Sequence, residues 1–252
     1  MIDLTGKTVL VTGGGRGIGA AVVRAVVKAG GACVLHDVTA TGGAAELALE
    51  LGADRCHVVV GDLAADEAVP GIWRAAVAWR GHIDVLVNNA GIYEAADVDH
   101  EFERWAASWH RTLQINLVAP GHFCREAIRH FRGRGGGIIV NLASRAGFRG
   151  DDADYMHYAA SKGGILAMTR TIARHFGRQG ITAFAVAPGF VRTDLNAAFF
   201  EAHGVDAAAK DIPLGEIAEP ADVANTIVFL ASGLARHSTG ATIDINGASY
   251  VR

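Results

Sequence analysis

Seven short apolar runs, spread along the whole chain, most constrain its fold. They are TVLVT at 8–12, ACVLHD at 32–37, HVVVGD at 57–62, DVLVNN at 84–89, GIIVNLAS at 137–144, TAFAVAPG at 182–189 and ATIDING at 241–247. Each is nearly continuous in apolar residues, the pattern of a strand buried on both faces. Between them lie longer stretches with helical spacing, such as IGAAVVRAVVKAG at 18–30 and ADVANTIVFLAS at 221–232. Strand–helix alternation predicts an α/β fold: a parallel sheet with helices on both faces. No repeat, linker or composition break divides the 252 residues, so one domain is expected. RGRGGG at 132–137 reads as a tight return into the fifth strand, and the long segment 190–219 as a lid over a site.

Half of the residues are hydrophobic and 19% are charged, which suits a packed core and excludes a disordered chain. Lys and Arg number 23 against 26 Asp and Glu. With no basic run present, no nucleic-acid partner is expected. Cys33, Cys56 and Cys124 form no CxxC pair, which argues against a disulfide framework or a zinc site. The start, MIDLTGKTVLVTGG, reaches an acid and then glycines before any signal-like apolar core. No apolar run approaches the ~18–20 residues of a membrane span. A soluble, cytoplasmic protein without a membrane partner or a metal is expected.

TGGGRGIG at 12–19 follows the first run and opens the first helical stretch. Gly13, Gly17 and Gly19 permit a tight turn and close backbone approach, and a helix N-terminus offers free N–H groups to a diphosphate. Arg16 and Ile18 sit within this loop. Asp37 ends the second run, where an acid can accept the hydroxyls of an adenosine ribose. NNAG at 88–91 and Pro188–Gly189 end the fourth and sixth runs. All of these fall at the carboxyl edge of the predicted sheet, where ligands of open parallel sheets gather.

Tyr158 and Lys162 in YAASK are one helical turn apart on the same face. On an exposed helix such a pair contributes a few tenths of a kcal/mol. Bringing a phenol from pKa ~10 to ~7 requires about 4 kcal/mol. Surface proximity cannot supply that much, whereas a partly dehydrated cleft holding Lys162 and a positively charged nicotinamide can. Tyr155 has Ala159 at the corresponding spacing and no basic partner. Ser144 ends the fifth run, and its hydroxyl can hold a substrate oxygen beside Tyr158. A serine nucleophile is excluded, because GxSxG would need glycine at Leu142 and Ala146. HEFER at 100–104 is not the HExxH of a zinc protease.

The ordered set of TGGGRGIG, Asp37, GDL at 61–63, NNAG, Asn116 within INLVAPG, Ser144, YAASK, PGFVRT at 188–193 and ING at 245–247 resembles the short-chain dehydrogenase/reductase family. The resemblance is to its compact, single-domain branch and covers essentially the whole chain. It implies a seven-stranded doubly wound parallel sheet (a Rossmann fold) and a homotetramer. It further implies that Tyr158 is the catalytic acid/base, that Lys162 lowers its pKa and holds the nicotinamide ribose, and that Ser144 orients the substrate oxygen. Asn116 would hold a water linking Lys162 to solvent. Asp62 and Leu63 would contact the adenine end and Asn89 the adenosine ribose, while Pro188, Gly189, Val191 and Thr193 would flank the nicotinamide end. Two features depart from the pattern. The separation of Ser144 and Tyr158 is one residue longer than the commonest family spacing, and Arg16 is a feature of NADP-using members, in conflict with Asp37.

The expected activity is NAD-dependent oxidation of a secondary alcohol to a ketone, reversibly. The alternatives are an NADPH-dependent 3-oxoacyl-type ketoreductase and a non-catalytic nucleotide-sensing module; the latter has no need of Asn116, Ser144, Tyr158 and Lys162. Asp151, Asp152, Asp154, Arg149 and Glu94 suit a sugar or polyol, whereas Phe148, Phe190, Phe199 and Phe200 suit an apolar ring. The substrate stays open between the two.

Overall fold

The computed structural model describes residues 2–252, apart from the side chains of Ala198 and His203. The strands are β1 (Thr8–Thr12), β2 (Ala32–Asp37), β3 (Cys56–Val60), β4 (Val85–Asn88), β5 (Gly137–Leu142), β6 (Ile181–Pro188) and β7 (Thr242–Ile245). The helices of the first half are α1 (Gly17–Lys28), α2 (Gly43–Leu51), α3 (Ala68–Arg80), α4 (Phe102–Leu113) and α5 (Ala119–Arg132). Those of the second are α6 (Ala146–Arg149), α7 (Met156–Phe176), α8 (Ala197–His203), α9 (Val205–Ala209) and α10 (Pro220–Ser232). The strands form one parallel sheet in the order β3-β2-β1-β4-β5-β6-β7. The order reverses between β1 and β4, which opens a crevice above that pair.

The apolar runs are continuous because both sheet faces are covered. Val9 and Val11 of β1, Val85 and Val87 of β4, and Val140 of β5 pack toward α1 and α10. The residues between them, Leu10, Leu86 and Ile139, join the core under α3, α5 and α7. A fully buried side chain of this size contributes about 1.5–3 kcal/mol, so neither face tolerates a polar residue cheaply.

Turn chemistry fixes the strand ends. Gly135 and Gly136 adopt φ of 82° and 129° in the return to β5. A Cβ on Gly136 would lie 2.3 Å from the Gly180 carbonyl oxygen, so only glycine fits there. Helix α10 opens on a capping box: the Glu219 N–H donates to Asp222 at 2.8 Å, and Asp222 donates its own N–H back to Glu219. One element lies beyond the periodicity of the sequence. Between α4 and α5 the chain makes a π-helical turn, Gln114–Val118, with Asn116 buried inside it. Such turns insert one residue into a helix and recur at functional sites.

Candidate active site

The glycine loop between β1 and α1 is a cradle with no room for side chains. A Cβ on Gly19 would meet the Gly13 carbonyl oxygen at 2.0 Å, and one on Gly13 would meet the Ala90 Cα at 2.9 Å. Gly17 adopts a φ of 52° beside Thr193. No side chain caps the start of α1, so its first N–H groups point at the crevice unclaimed by the protein. Asn89 holds the loop from behind: its amide donates to the carbonyls of Thr12 and Gly13 at 2.8 and 2.9 Å. The Thr12 hydroxyl in turn accepts the N–H groups of Asn89 and Ala90, each at 3.0 Å. Asp37 accepts the Gly15 N–H at 2.9 Å through Oδ2 and the Val38 N–H at 2.7 Å through Oδ1. These bonds leave carboxylate lone pairs for a ribose hydroxyl. The residues present fit a dinucleotide cofactor.

A cavity of about 540 Å³ runs from this cradle past the ends of β5 and β6. Arg16, Gly17, Ile18, Gly19 and Asn89 line one end, and Ser144, Tyr158, Lys162, Pro188, Gly189, Val191 and Thr193 line the middle. Gly13, Asp37, Asp62, Leu63 and Asn116 do not line it. Asp62 and Leu63 follow β3, where Asp62 accepts the Ala64 N–H at 2.9 Å and the Leu63 carbonyl accepts from Gln114 at 3.3 Å. Asn116 lies beneath the cavity and clamps Ile92, accepting its N–H and donating to its carbonyl, both at 2.9 Å. This bidentate clamp holds Gly91 so that a Cβ there would fall 3.3 Å from Asn116 Oδ1 and 3.7 Å from Lys162 Nζ.

Tyr158 and Lys162 share a face of α7, as the spacing predicts, whereas Tyr155 stands at its N-cap. β5 ends at Leu142, so Ser144 lies two residues past the strand rather than in it, and the Ala146 N–H donates to its Oγ at 3.1 Å. Ser144 and Tyr158 both line the cavity. Burial pushes the Tyr158 pKa up to about 12, against the Ser144 hydrogen bond, which favours the phenolate; the nearby charge of Asp151 raises it further. Burial also brings Lys162 down to about 8. Lys162 Nζ donates to the Leu142 carbonyl at 2.9 Å and stands 5.6 Å from the centroid of the Tyr158 ring. The ammonium thus lies below the ring, and the protein's own groups leave the phenol protonated at neutral pH.

The far end of the cavity is built from other parts of the chain. Arg149, Asp151, Asp152, Phe190 and Phe199 line it. Glu94, Asp154, Phe148 and Phe200 do not: Glu94 pairs with Arg111 at 3.7 Å, and Phe148 stacks on Tyr250. Nothing in the sequence marks Tyr93 or Arg145, while Tyr155 reads there as a residue without a basic partner that bears on substrate affinity rather than on proton transfer. Tyr93 stacks on Tyr155 with ring centroids 3.9 Å apart and meets the Tyr158 ring edge-on at 4.7 Å. Residues 190–219 leave the sheet through a parallel bridge of Val191 and Ala218. They fold into α8 and α9 around Ala208, Ile212 and Ile217, with Phe190 and Phe200 packed against them. Among the described residues no cluster of His, Cys, Asp or Glu has the arrangement of a metal site, and no helix is long and apolar enough to cross a membrane.

A parallel sheet with a glycine cradle at its switch point, a Ser–Tyr pair beyond β5 and a buried lysine one turn on define a nucleotide-dependent oxidoreductase. The family model described as enoyl-(acyl carrier protein) reductase matches residues 13–248. The chain belongs to the short-chain dehydrogenase/reductase family and is an NAD(P)-dependent enzyme acting on CH–OH groups. It is 33% identical to the 3-oxoacyl-[acyl-carrier-protein] reductase of Vibrio harveyi over 99% of this chain and 100% of that one. It is 35% identical to the cis-4-hydroxycyclohexanecarboxylate dehydrogenase of Sinomonas cyclohexanicum, over 96% of this chain and 95% of the relative. A solved structure described as an NAD(P)-dependent gluconate 5-dehydrogenase of Beutenbergia cavernae, with NADP at low occupancy, superposes with a TM-score of 0.90. The two are 33% identical over 98% of each chain.

Proposed function

We propose that the enzyme interconverts a secondary alcohol and its ketone with NAD, using Tyr158 as the acid/base. The observation that carries this reading is that Ser144, Tyr158 and the buried Lys162 line the same cavity as the glycine cradle. Bound NAD would supply the hydride acceptor and, in its oxidised form, a positive charge beside the phenol. Gly13, Arg16, Gly17, Ile18 and Gly19 would hold its diphosphate and Asp37 its adenosine ribose. Asp62, Leu63 and Asn89 would flank the adenosine, and Pro188, Gly189, Val191 and Thr193 the nicotinamide end. Ser144 orients the carbinol oxygen, and Tyr158 accepts its proton in oxidation or returns it in reduction. Lys162 holds positive charge beneath the phenol, and Asn116, through Ile92, keeps the backbone seated over Lys162. Residues 190–219 would act as a lid, closing on a stem fixed by the Val191–Ala218 bridge. The test is a panel of secondary alcohols, sugars and hydroxy acids with NAD, read by absorbance of the reduced cofactor; no reduction with any of them counts against the reading.

A 3-oxoacyl-type reductase using NADPH is the second reading. Arg16, exposed at the mouth of the cavity, and the Vibrio harveyi relative favour it.

We further infer a cytoplasmic homotetramer. Phe102 is 72% exposed and Val118 38% exposed along α4 and the turn after it, and Val251 is 77% exposed at the terminus. Apolar surface of this kind is what association covers. Within one chain the terminus folds back, with Arg252 paired to Asp244 at 3.0 Å and its guanidinium over the Phe148 ring at 4.2 Å. Deleting 248–252 is expected to weaken both assembly and turnover. Light scattering that finds the intact protein a stable monomer at micromolar concentration would rule the tetramer out.

A further inference from the structure

A second buried cation, Arg145, lines the cavity beside Lys162. Arg145 directly follows Ser144, and its N–H donates to the Pro188 carbonyl at 3.0 Å, which fixes the residue between the ends of β5 and β6. Its side chain lines the cavity although Arg145 is only 9% exposed. The guanidinium stands over the Phe190 ring, 4.9 Å from the centroid, and one of its nitrogens donates to Ser249 Oγ at 2.6 Å. A guanidinium carries five N–H donors. Among the described residues Arg145 forms no ion pair with any carboxylate.

Burying a cation without an anion is strongly unfavourable, and a guanidinium fork matches a carboxylate with two parallel hydrogen bonds. Burial weakens the hold of Arg145 on its proton; the neighbouring charge of Arg149 does the same, while Asp151 and Asp211 oppose it. Those neighbours are shallower: Asp151 is half-buried, and Arg149, Asp152 and Asp211 are exposed. Besides Lys162 beneath the phenol, the interior therefore presents a second dehydrated positive charge, Arg145, on the residue next to Ser144.

We propose that the substrate is a hydroxy acid, a secondary alcohol whose own carboxylate is held by the Arg145 guanidinium while its carbinol oxygen meets Ser144 and Tyr158. This inference rests on the alcohol-oxidising reading above. Ser144, Tyr158 and Arg145 line one cavity of about 540 Å³, so a small hydroxy acid can reach all three at once. The stacked Tyr93 and Tyr155 rings and Phe190 line the same cavity. Arg145 is then the residue that sets specificity, and it takes no part in proton transfer.

Calorimetry on the NAD-saturated protein tests this without turnover, using cyclohexanecarboxylate against cyclohexanecarboxamide. The acid is expected to bind about thirtyfold more tightly, the scale of a charge-assisted pair in a dehydrated site. Arg145→Met keeps an apolar stem over Phe190 and should erase that preference. Arg145→Lys, a cation without the fork, should retain part of it. Thermal midpoints establish that both variants are folded. Equal binding of acid and amide by the native protein, or an unchanged preference in folded R145M, overturns the proposal. Turnover separates it from the reading on which it rests, through kcat/KM for D-gluconate and 4-hydroxycyclohexanecarboxylate beside D-glucitol and cyclohexanol. If the neutral alcohols are oxidised and the acids gain nothing, the carboxylate site alone fails. If no alcohol is oxidised, the alcohol-oxidising reading fails, and the calorimetric comparison still decides the carboxylate site.

Discussion

Tyr158→Phe is expected to lower kcat by about a thousandfold or more, within or above the range general acid–base catalysis supplies, while NAD binding stays within a few fold. The substitution removes one oxygen from a half-buried ring and leaves its edge-on contact with Tyr93 in place. Tyr155→Phe should keep kcat within about tenfold and act mainly on KM, because Tyr155 contributes a stacked wall at the N-cap of α7. The pH profile carries the same information. Oxidation needs the phenolate, and burial, reinforced by Asp151 and opposed by Ser144, holds the Tyr158 pKa near 12. In the native enzyme kcat/KM for oxidation should rise with pH and level off well below that value, because the oxidised cofactor adds a positive charge that favours the phenolate. Lys162, brought to about 8 by burial, titrates in the same interval, so the break belongs to the pair rather than to either residue. Tyr158→Phe should remove the rise with pH and leave only the titration of Lys162. A dead Tyr155→Phe beside a working Tyr158→Phe would reverse the assignment.

The strands were legible in the sequence because burial on both faces forces continuous apolar runs, and Val9, Leu10 and Val11 do alternate between the two cores. Tyr158 and Lys162 were legible because helical geometry needs no tertiary information to put i and i+4 on one face. Where function depends on what surrounds a residue, the sequence was silent. Nothing local marks Gln114–Val118 as a π-helical turn, and Asn116 works through a backbone segment distant in sequence. Arg145 reads as one more surface arginine until Pro188 and Ser249, from two other parts of the chain, enclose it. Asp37 and Asn89 read from the sequence as ribose contacts, and the structure shows both holding the glycine loop in place.

That second task of Asp37 bears on the choice of cofactor. NAD should be preferred over NADP by at least tenfold in kcat/KM. A carboxylate accepting from a 2′-hydroxyl makes a charge-assisted bond, whereas the 2′-phosphate of NADP places nearly two negative charges against it. Two like charges ~4 Å apart repel by about 4 kcal/mol at an effective dielectric near 20, a factor of roughly a thousand. Arg16 opposes this, but it is exposed, and a solvated ion pair typically returns ~1 kcal/mol or less. The Asp37 carboxylate should therefore dominate. Replacing it with alanine confounds the measurement, because the Gly15 N–H bonded to it at 2.9 Å loses its acceptor and both cofactors then bind a looser loop. Asp37→Asn removes the charge and keeps one acceptor oxygen for the Gly15 N–H, giving up the second acceptor that holds the Val38 N–H, so its effect on the NAD:NADP ratio reports the charge with the loop bond retained. The preference should shrink in Asp37→Asn, and adding Arg16→Ala should restore part of it by withdrawing the phosphate's only nearby compensation in the loop. Parity of NAD and NADP in the native enzyme would overturn this account and favour the NADPH-dependent reductase; a large shift in Asp37→Ala with none in Asp37→Asn would assign Asp37 to loop geometry alone.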